Sequence, residues 1–142
     1  MSKQVMLKLS YPELLRTQSY INGKWVDAGG GNTVDVMNPA NGLPVATVAS
    51  LGAEETKIAI DAAHAAGLIW RQKTAIERST LLRRWFDLIL EHQDDLAKIL
   101  TAEQGKPLAE AKGEILYGAS YVEWYAEEAK RINGDVIPQP SN

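Results

Sequence analysis

The chain has 142 residues, of which 45% are hydrophobic and 23% charged. That is enough for one domain with a buried core, and too ordinary a mixture for a chain disordered throughout. A formal net charge of -3 gives no cationic footprint for nucleic acid or acidic lipid, and the absence of cysteine excludes disulfides, zinc–thiolate sites and every thiol nucleophile.

No run reaches the roughly 18 apolar residues that a membrane span needs. Residues 1–15 also lack the apolar centre and small-residue cleavage site of a secretory signal. Neither nucleic acid nor membrane is therefore expected as a partner, and a reducing, cytoplasmic compartment fits.

Residues 1–18 read as a partly mobile leader, with Pro12 opening a helical turn within residues 11–17. Tyr20-Ile21 and Lys24-Trp25-Val26 flank Asn22-Gly23, the pair a primed turn favours because it needs positive φ, so a hairpin is predicted. Gly29-Gly30-Gly31-Asn32 makes a turn, residues 33–37 alternate as a strand, Asn38-Pro39-Ala40-Asn41-Gly42 breaks it, and residues 45–49 form one more. A small antiparallel meander within residues 19–49 is the economical reading.

After Gly52 the hydrophobic period changes from two to 3.6. Helices are predicted at about 53–68, 74–92, 94–104 and 107–132. The first has Glu54 and Glu55 in its opening turn and a stripe of Ile58, Ala62, Ala65 and Ala66 suited to close packing. The second starts from Thr74 and Glu77, spaced as a capping box, and carries Leu81, Trp85, Leu88 and His92 on one face. Asp94 or Asp95 restarts the chain as a third, with Leu96, Ile99 and Leu100.

At Glu103-Gln104-Gly105-Lys106-Pro107 a helix stop and a helix start are fused. Gly105 suits a left-handed position, Lys106 sets a cation beside the carbonyl end of the incoming helix, and Pro107 suits the first turn of the outgoing one. The last helix should end before Asn133-Gly134 with Lys130 and Arg131 in its final turn, and Val136-Ile137 could begin a strand. Repeats, low-complexity tracts and interdomain linkers are absent, so residues 19–142 read as one unit.

Chemistry is sparse. Gly29-Gly30-Gly31 precedes a strand, whereas a phosphate cradle needs a helix directly after it; a plain turn is the reading. His64 and His92 have no second ligand at metal spacing, and Ser19, Ser79 and Ser120 lack a recognisable His–Asp partner. Glu103, Glu110 and Glu114 suit solvated or ion-paired roles, with cation binding or acid–base work the alternative. Tyr117, Tyr121, Trp124 and Tyr125 form one stripe of the last helix, serving as core or interface, with a ligand wall the alternative.

Five blocks occur in an order that resembles the aldehyde dehydrogenase family. They are Tyr20-Ile21-Asn22-Gly23-Lys24-Trp25, then Asn38-Pro39-Ala40-Asn41-Gly42, the Ala-rich helix ending at Trp70, Glu77-Arg78, and residues 103–115. A sixth, Val122-Glu123-Trp124-Tyr125-Ala126-Glu127-Glu128-Ala129-Lys130-Arg131, points to the succinate-semialdehyde branch. The resemblance covers roughly residues 20–138.

It implies an α/β family whose members oxidise an aldehyde to an acid with NAD or NADP, using a cysteine thiolate nucleophile and a glutamate base, with 4-aminobutyrate degradation as the setting. This segment would be its mainly α-helical N-terminal part with the small β meander, lacking the Rossmann core. The family's cysteine, base glutamate, oxyanion-hole asparagine and dinucleotide-binding strands lie downstream, so no catalytic or cofactor-binding residue transfers and the chain itself is expected to be inert. Two further transfers follow from the resemblance: Val36, Met37 and Glu103 would hold a monovalent cation, and Tyr117 and Tyr121 would line the aldehyde access tunnel. A small aldehyde is a partner only of a complete enzyme. Apolar faces left uncovered should self-associate, and the alternative function is a free-standing helical interaction or self-association module.

Overall fold

A computed structural model describes residues 6–140 of the chain. The first five residues of the leader and the last two residues lie outside the described residues. A short 3₁₀ turn, Pro12–Leu14, precedes four strands and four helices: β1 Ser19–Ile21, β2 Lys24–Val26, β3 Thr33–Met37, β4 Pro44–Ala49, α1 Ala53–Trp70, α2 Ala75–Glu91, α3 Gln93–Gln104 and α4 Leu108–Glu128.

The predicted strands form two antiparallel pairs, β1 with β2 and β3 with β4. Asn22 and Gly23 hold φ of 50° and 78°, the two positive angles that let a two-residue turn match the twist of its strands. In the second pair Thr33 faces Ala49 and Val36 faces Ala46, and a bulge between Val36 and Met37 then sets Met37 opposite Pro44. The leader joins this pair through Ala49 N–H donating to the Thr17 carbonyl at 2.8 Å.

Glu55 couples strands to helices. Its carboxylate accepts from the N–H of Gly52 at 2.9 Å, closing the α1 N-terminus, and from the N–H of Gly29 at 3.0 Å, pinning the glycine turn. Backbone N–H groups of Glu55 itself, Gly29 and Gly52 hold that carboxyl below the usual carboxylate range. The α2 capping box forms as read: Thr74 Oγ1 accepts from Glu77 N–H, and Thr74 N–H donates to Glu77 Oε2 at 2.7 Å.

The core lies where α4 crosses α2 and α3 and is built from small side chains. Ala111, Ala119 and Ala126 of α4, Ala97 and Ala102 of α3 and Ser79 of α2 are buried, with Val45 and Ala46 of β4. Small residues at spacings of seven and eight let backbones approach closely while filling the space between them.

Several readings change in three dimensions. The small-residue stripe of α1 is not the packed one, because α1 has no buried residue and its main contact is with β1. On α2 the inward face is Ser79, Leu82, Phe86 and Ile89, whereas Leu81 and Trp85 are 51% and 57% exposed. Apolar residues are adjacent along this helix, so periodicity allowed either stripe and the position of α4 selected one. Helix α4 ends at Glu128, and Lys130 and Arg131 lie beyond it, their N–H groups donating to Glu127 and Glu128 carbonyls in i to i−3 bonds that tighten the terminus. Val136 and Ile137 are fully exposed and form no strand.

The α3–α4 corner has Gly105 at φ +81°, its N–H donating to the Thr101 carbonyl at 2.9 Å. Pro107 is the residue before α4, and its carbonyl accepts from Ala111 N–H. The Lys106 ammonium reaches forward to Glu114 instead of back to the end of α3, because the turn at Gly105 redirects its stem along α4. A Cβ on Gly105 would stand 2.9 Å from Pro39 Cγ.

Gly105→Ala therefore meets both an unfavourable φ and a clash, and should destabilise the chain by about 2 kcal/mol. Gly113→Ala, in the interior of α4 with nothing within 4 Å of the added Cβ, should instead stabilise it by about 0.5–1 kcal/mol. Denaturant titration of the two variants beside the parent checks the opposite signs.

Candidate functional site

Helix α4 has two faces with different work. Opposite the buried alanines, Tyr117, Tyr121, Trp124 and Tyr125 fall at successive spacings of four, three and one, and all four are exposed. They wall an open groove of about 740 Å³ that continues past Ser120 to Arg83 of α2 and to Arg131. The stripe is thus a groove wall and not core.

The two sequence-predicted tunnel residues are brought together. Tyr117 and Tyr121 hydroxyls are 2.6 Å apart, and their rings meet edge to face with centroids 5.1 Å apart. The bond to Tyr117, with loss of hydration and the neighbouring Tyr125, pushes the Tyr121 hydroxyl above its ordinary pKa.

The groove's cations have partners. Arg83 Nη1 pairs with Glu123 Oε1 at 2.7 Å and its guanidinium lies over Phe86, while Arg131 pairs with Glu128 at 3.4 Å. Ser120 Oγ donates to the Tyr117 carbonyl at 2.7 Å, one turn back along the helix, and among the described residues no serine is hydrogen-bonded to a histidine. The groove offers hydroxyls and aromatic faces, with no activated nucleophile.

The three predicted cation ligands lie on two elements, β3 and α3. Val36 and Met37 flank the β3 bulge, and Pro39, two residues on, touches Gly105 at the corner that follows Glu103. Met37 faces Pro44, which has no N–H to donate to it. The Glu103 carboxylate is exposed at the end of α3 and makes no hydrogen bond or ion pair among the described residues. Those residues contain no group of three His, Asp or Glu able to hold a metal, so any cation there would rely on backbone oxygens beside the single Glu103 carboxylate.

A dinucleotide does not fit the residues present. Both sheets are antiparallel pairs, the Gly29-Gly30-Gly31 turn leads into β3 instead of a helix, and the Gly29 N–H already donates to the Glu55 carboxylate, which would repel a phosphate.

One buried contact carries no sequence signal. Asp95, whose sequence position marks only a helix start, is 3% exposed. It accepts from the Tyr11 N–H at 2.8 Å and from Lys98 Nζ at 2.8 Å, and Lys98 also donates to the Lys8 carbonyl at 3.2 Å. The Lys98 bond, helped by N–H groups of Tyr11 and Ser10 and opposed by burial, holds the Asp95 carboxyl below the usual range. This clasp ties the leader to α3. No local signal could reveal it, since Tyr11 and Asp95 are 84 positions apart.

Comparison with known proteins places this geometry. The profile of the aldehyde dehydrogenase family matches residues 25–142. The chain is 59% identical over 132 residues to the succinate-semialdehyde dehydrogenase [NADP(+)] GabD of Escherichia coli (strain K12), covering 93% of this chain and 27% of that protein. It is 58% identical over 132 residues to the glutarate-semialdehyde dehydrogenase of Pseudomonas putida, covering 93% and 28%. The crystal structure of an aldehyde dehydrogenase from Brucella melitensis biovar abortus 2308 superposes with a TM-score of 0.94 at 55% identity, over 96% of this chain and 28% of that one.

Replacing Tyr117 by Phe removes the hydroxyl that bonds to Tyr121. The Tyr121 phenol should then titrate at lower pH, toward its ordinary pKa of about 10. Phenolate absorbance followed against pH in parent and variant reads the shift, and an unmoved midpoint would contradict the bond.

Proposed function

Because the chain belongs to the aldehyde dehydrogenase family, we propose that it forms the N-terminal helical layer of an NAD(P)-dependent oxidoreductase that converts succinate semialdehyde to the corresponding acid. The observation that carries this is the match over residues 25–142 together with 59% identity to a succinate-semialdehyde dehydrogenase. The chain spans about 27% of the length of the curated relatives it matches.

Near-equal identity to enzymes named for succinate and glutarate semialdehydes supports a substrate class: short aldehydes with a carboxylate at the far end. Two substrates one methylene apart, served by segments this alike, argue that chain length is judged in the remainder of the enzyme. The contribution of this segment is then physical. Tyr117 and Tyr121 wall the path by which the aldehyde arrives, their rings excluding water and their bonded hydroxyls marking one polar point on it. Glu103 with the Val36 and Met37 carbonyls holds a monovalent cation that braces the bulged end of β3 against the α3–α4 corner.

By itself the chain is inert in this reading, having no cysteine to attack the aldehyde and no cradle for a dinucleotide. A cytoplasmic setting suits it, and among the described residues no helix is long and apolar enough to cross a membrane. The exposed Ile58 and Ile60 of α1, Leu81 and Trp85 of α2 and Trp124 of α4 give it apolar surface that drives self-association.

Two measurements test these statements. The 142-residue chain should show no aldehyde-dependent NADP reduction, whereas joining it to the region of the E. coli relative that follows the aligned segment should give an enzyme active on succinate semialdehyde; a soluble, folded but inactive chimera would overturn the assignment. Sedimentation of the chain alone should show concentration-dependent association, and a monomer at all concentrations would remove the self-association reading.

A further inference from the structure

We propose that Tyr117 and Tyr121 are a one-electron oxidation site of the 142-residue chain, where an oxidant such as a peroxidase with hydrogen peroxide couples the two rings into an intramolecular dityrosine. The chain has no cysteine, so the thiol that ordinarily takes oxidising equivalents first is missing. Tyrosine and tryptophan are the side chains left for one-electron chemistry.

These residues are concentrated on α4. Trp124 and Tyr125 continue the exposed face that carries Tyr117 and Tyr121, which puts four oxidisable rings within about two and a half turns of helix. Of the five tyrosines, Tyr11 has its ring against His92 and Tyr20 against Trp25. Tyr117 and Tyr121 form the one tyrosine–tyrosine ring contact among the described residues.

Their geometry favours coupling over escape. Both rings are open to an oxidant, with Tyr117 63% and Tyr121 51% exposed, yet the hydroxyls sit 2.6 Å apart on a rigid helix. Radicals held in contact react at an effective concentration far above that of a second molecule in solution.

The step balances. Each phenol gives up one electron and its hydroxyl proton, and the resulting radicals join through the ring carbons ortho to oxygen. The hydrogens displaced from those carbons move to the oxygens and restore both phenols. One C–C bond has formed, two aryl C–H bonds have been lost, and hydrogen peroxide has been reduced to two waters.

Treating the dilute chain with a haem peroxidase and hydrogen peroxide should give a monomeric product with dityrosine fluorescence. Its tryptic peptide 113–130 should be lighter by two hydrogens. Tyr117→Phe and Tyr121→Phe should each abolish that product, and Tyr125→Phe should leave it intact. Retention of the product in either of the first two variants, its loss in Tyr125→Phe, or cross-linked dimers in its place would overturn the proposal.

Discussion

Gly105 holds φ at +81°, and the space where its Cβ would stand is filled by Pro39. Those two conditions together set how the helical layer meets the β3–β4 pair. The positive φ ends α3 and turns the chain so that α4 can run back across α3 and α2. The missing Cβ lets the resulting corner lie against the turn that follows β3. Any other residue would strain the backbone and push the corner away from Pro39. The contact of Gly105 with Pro39 thereby brings the end of α3 to the turn that follows the bulge at Val36 and Met37.

Once α4 is set, its two faces divide the packed core from the exposed groove. Ala111, Ala119 and Ala126 lie inward and are nearly or wholly excluded from water, so α4 sits close to its neighbours with little room for rotation. The aromatic stripe is then directed outward by elimination. Arg83 helps hold this arrangement through Glu123, joining α2 to α4 beside the groove. The pair is partly exposed, so its strength is modest and screened by salt; packing of the alanines fixes the helix.

Carboxylates do the joining elsewhere. Glu55 ties a turn to α1, Glu77 closes α2, and Asp95 clasps the leader to α3. Each receives donors that favour its charged form, which is why all three carboxyls lie below their ordinary range. They supply direction to junctions where hydrophobic area is scarce, the largest fully buried side chain being Val45.

Local signals were enough for much of this. Asn22-Gly23, Thr74 with Glu77, and Gly105 followed by Pro107 mark their turns, cap and corner because each depends on the φ preference or hydrogen-bonding reach of residues a few positions apart. The order of those signals, with the blocks around them, was enough to identify the family. Periodicity alone left open which stripe of α2 faces inward, since Leu81 and Leu82, and Trp85 and Phe86, are adjacent apolar pairs. It left the alanines of α1 indistinguishable from those of α4. The aromatic stripe read first as core or interface, with a ligand wall as the alternative, and the partner of Asp95 could not be read at all. Those questions were decided by tertiary structure, because the answer is a neighbour distant in sequence, such as α4 for α2 and Tyr11 for Asp95.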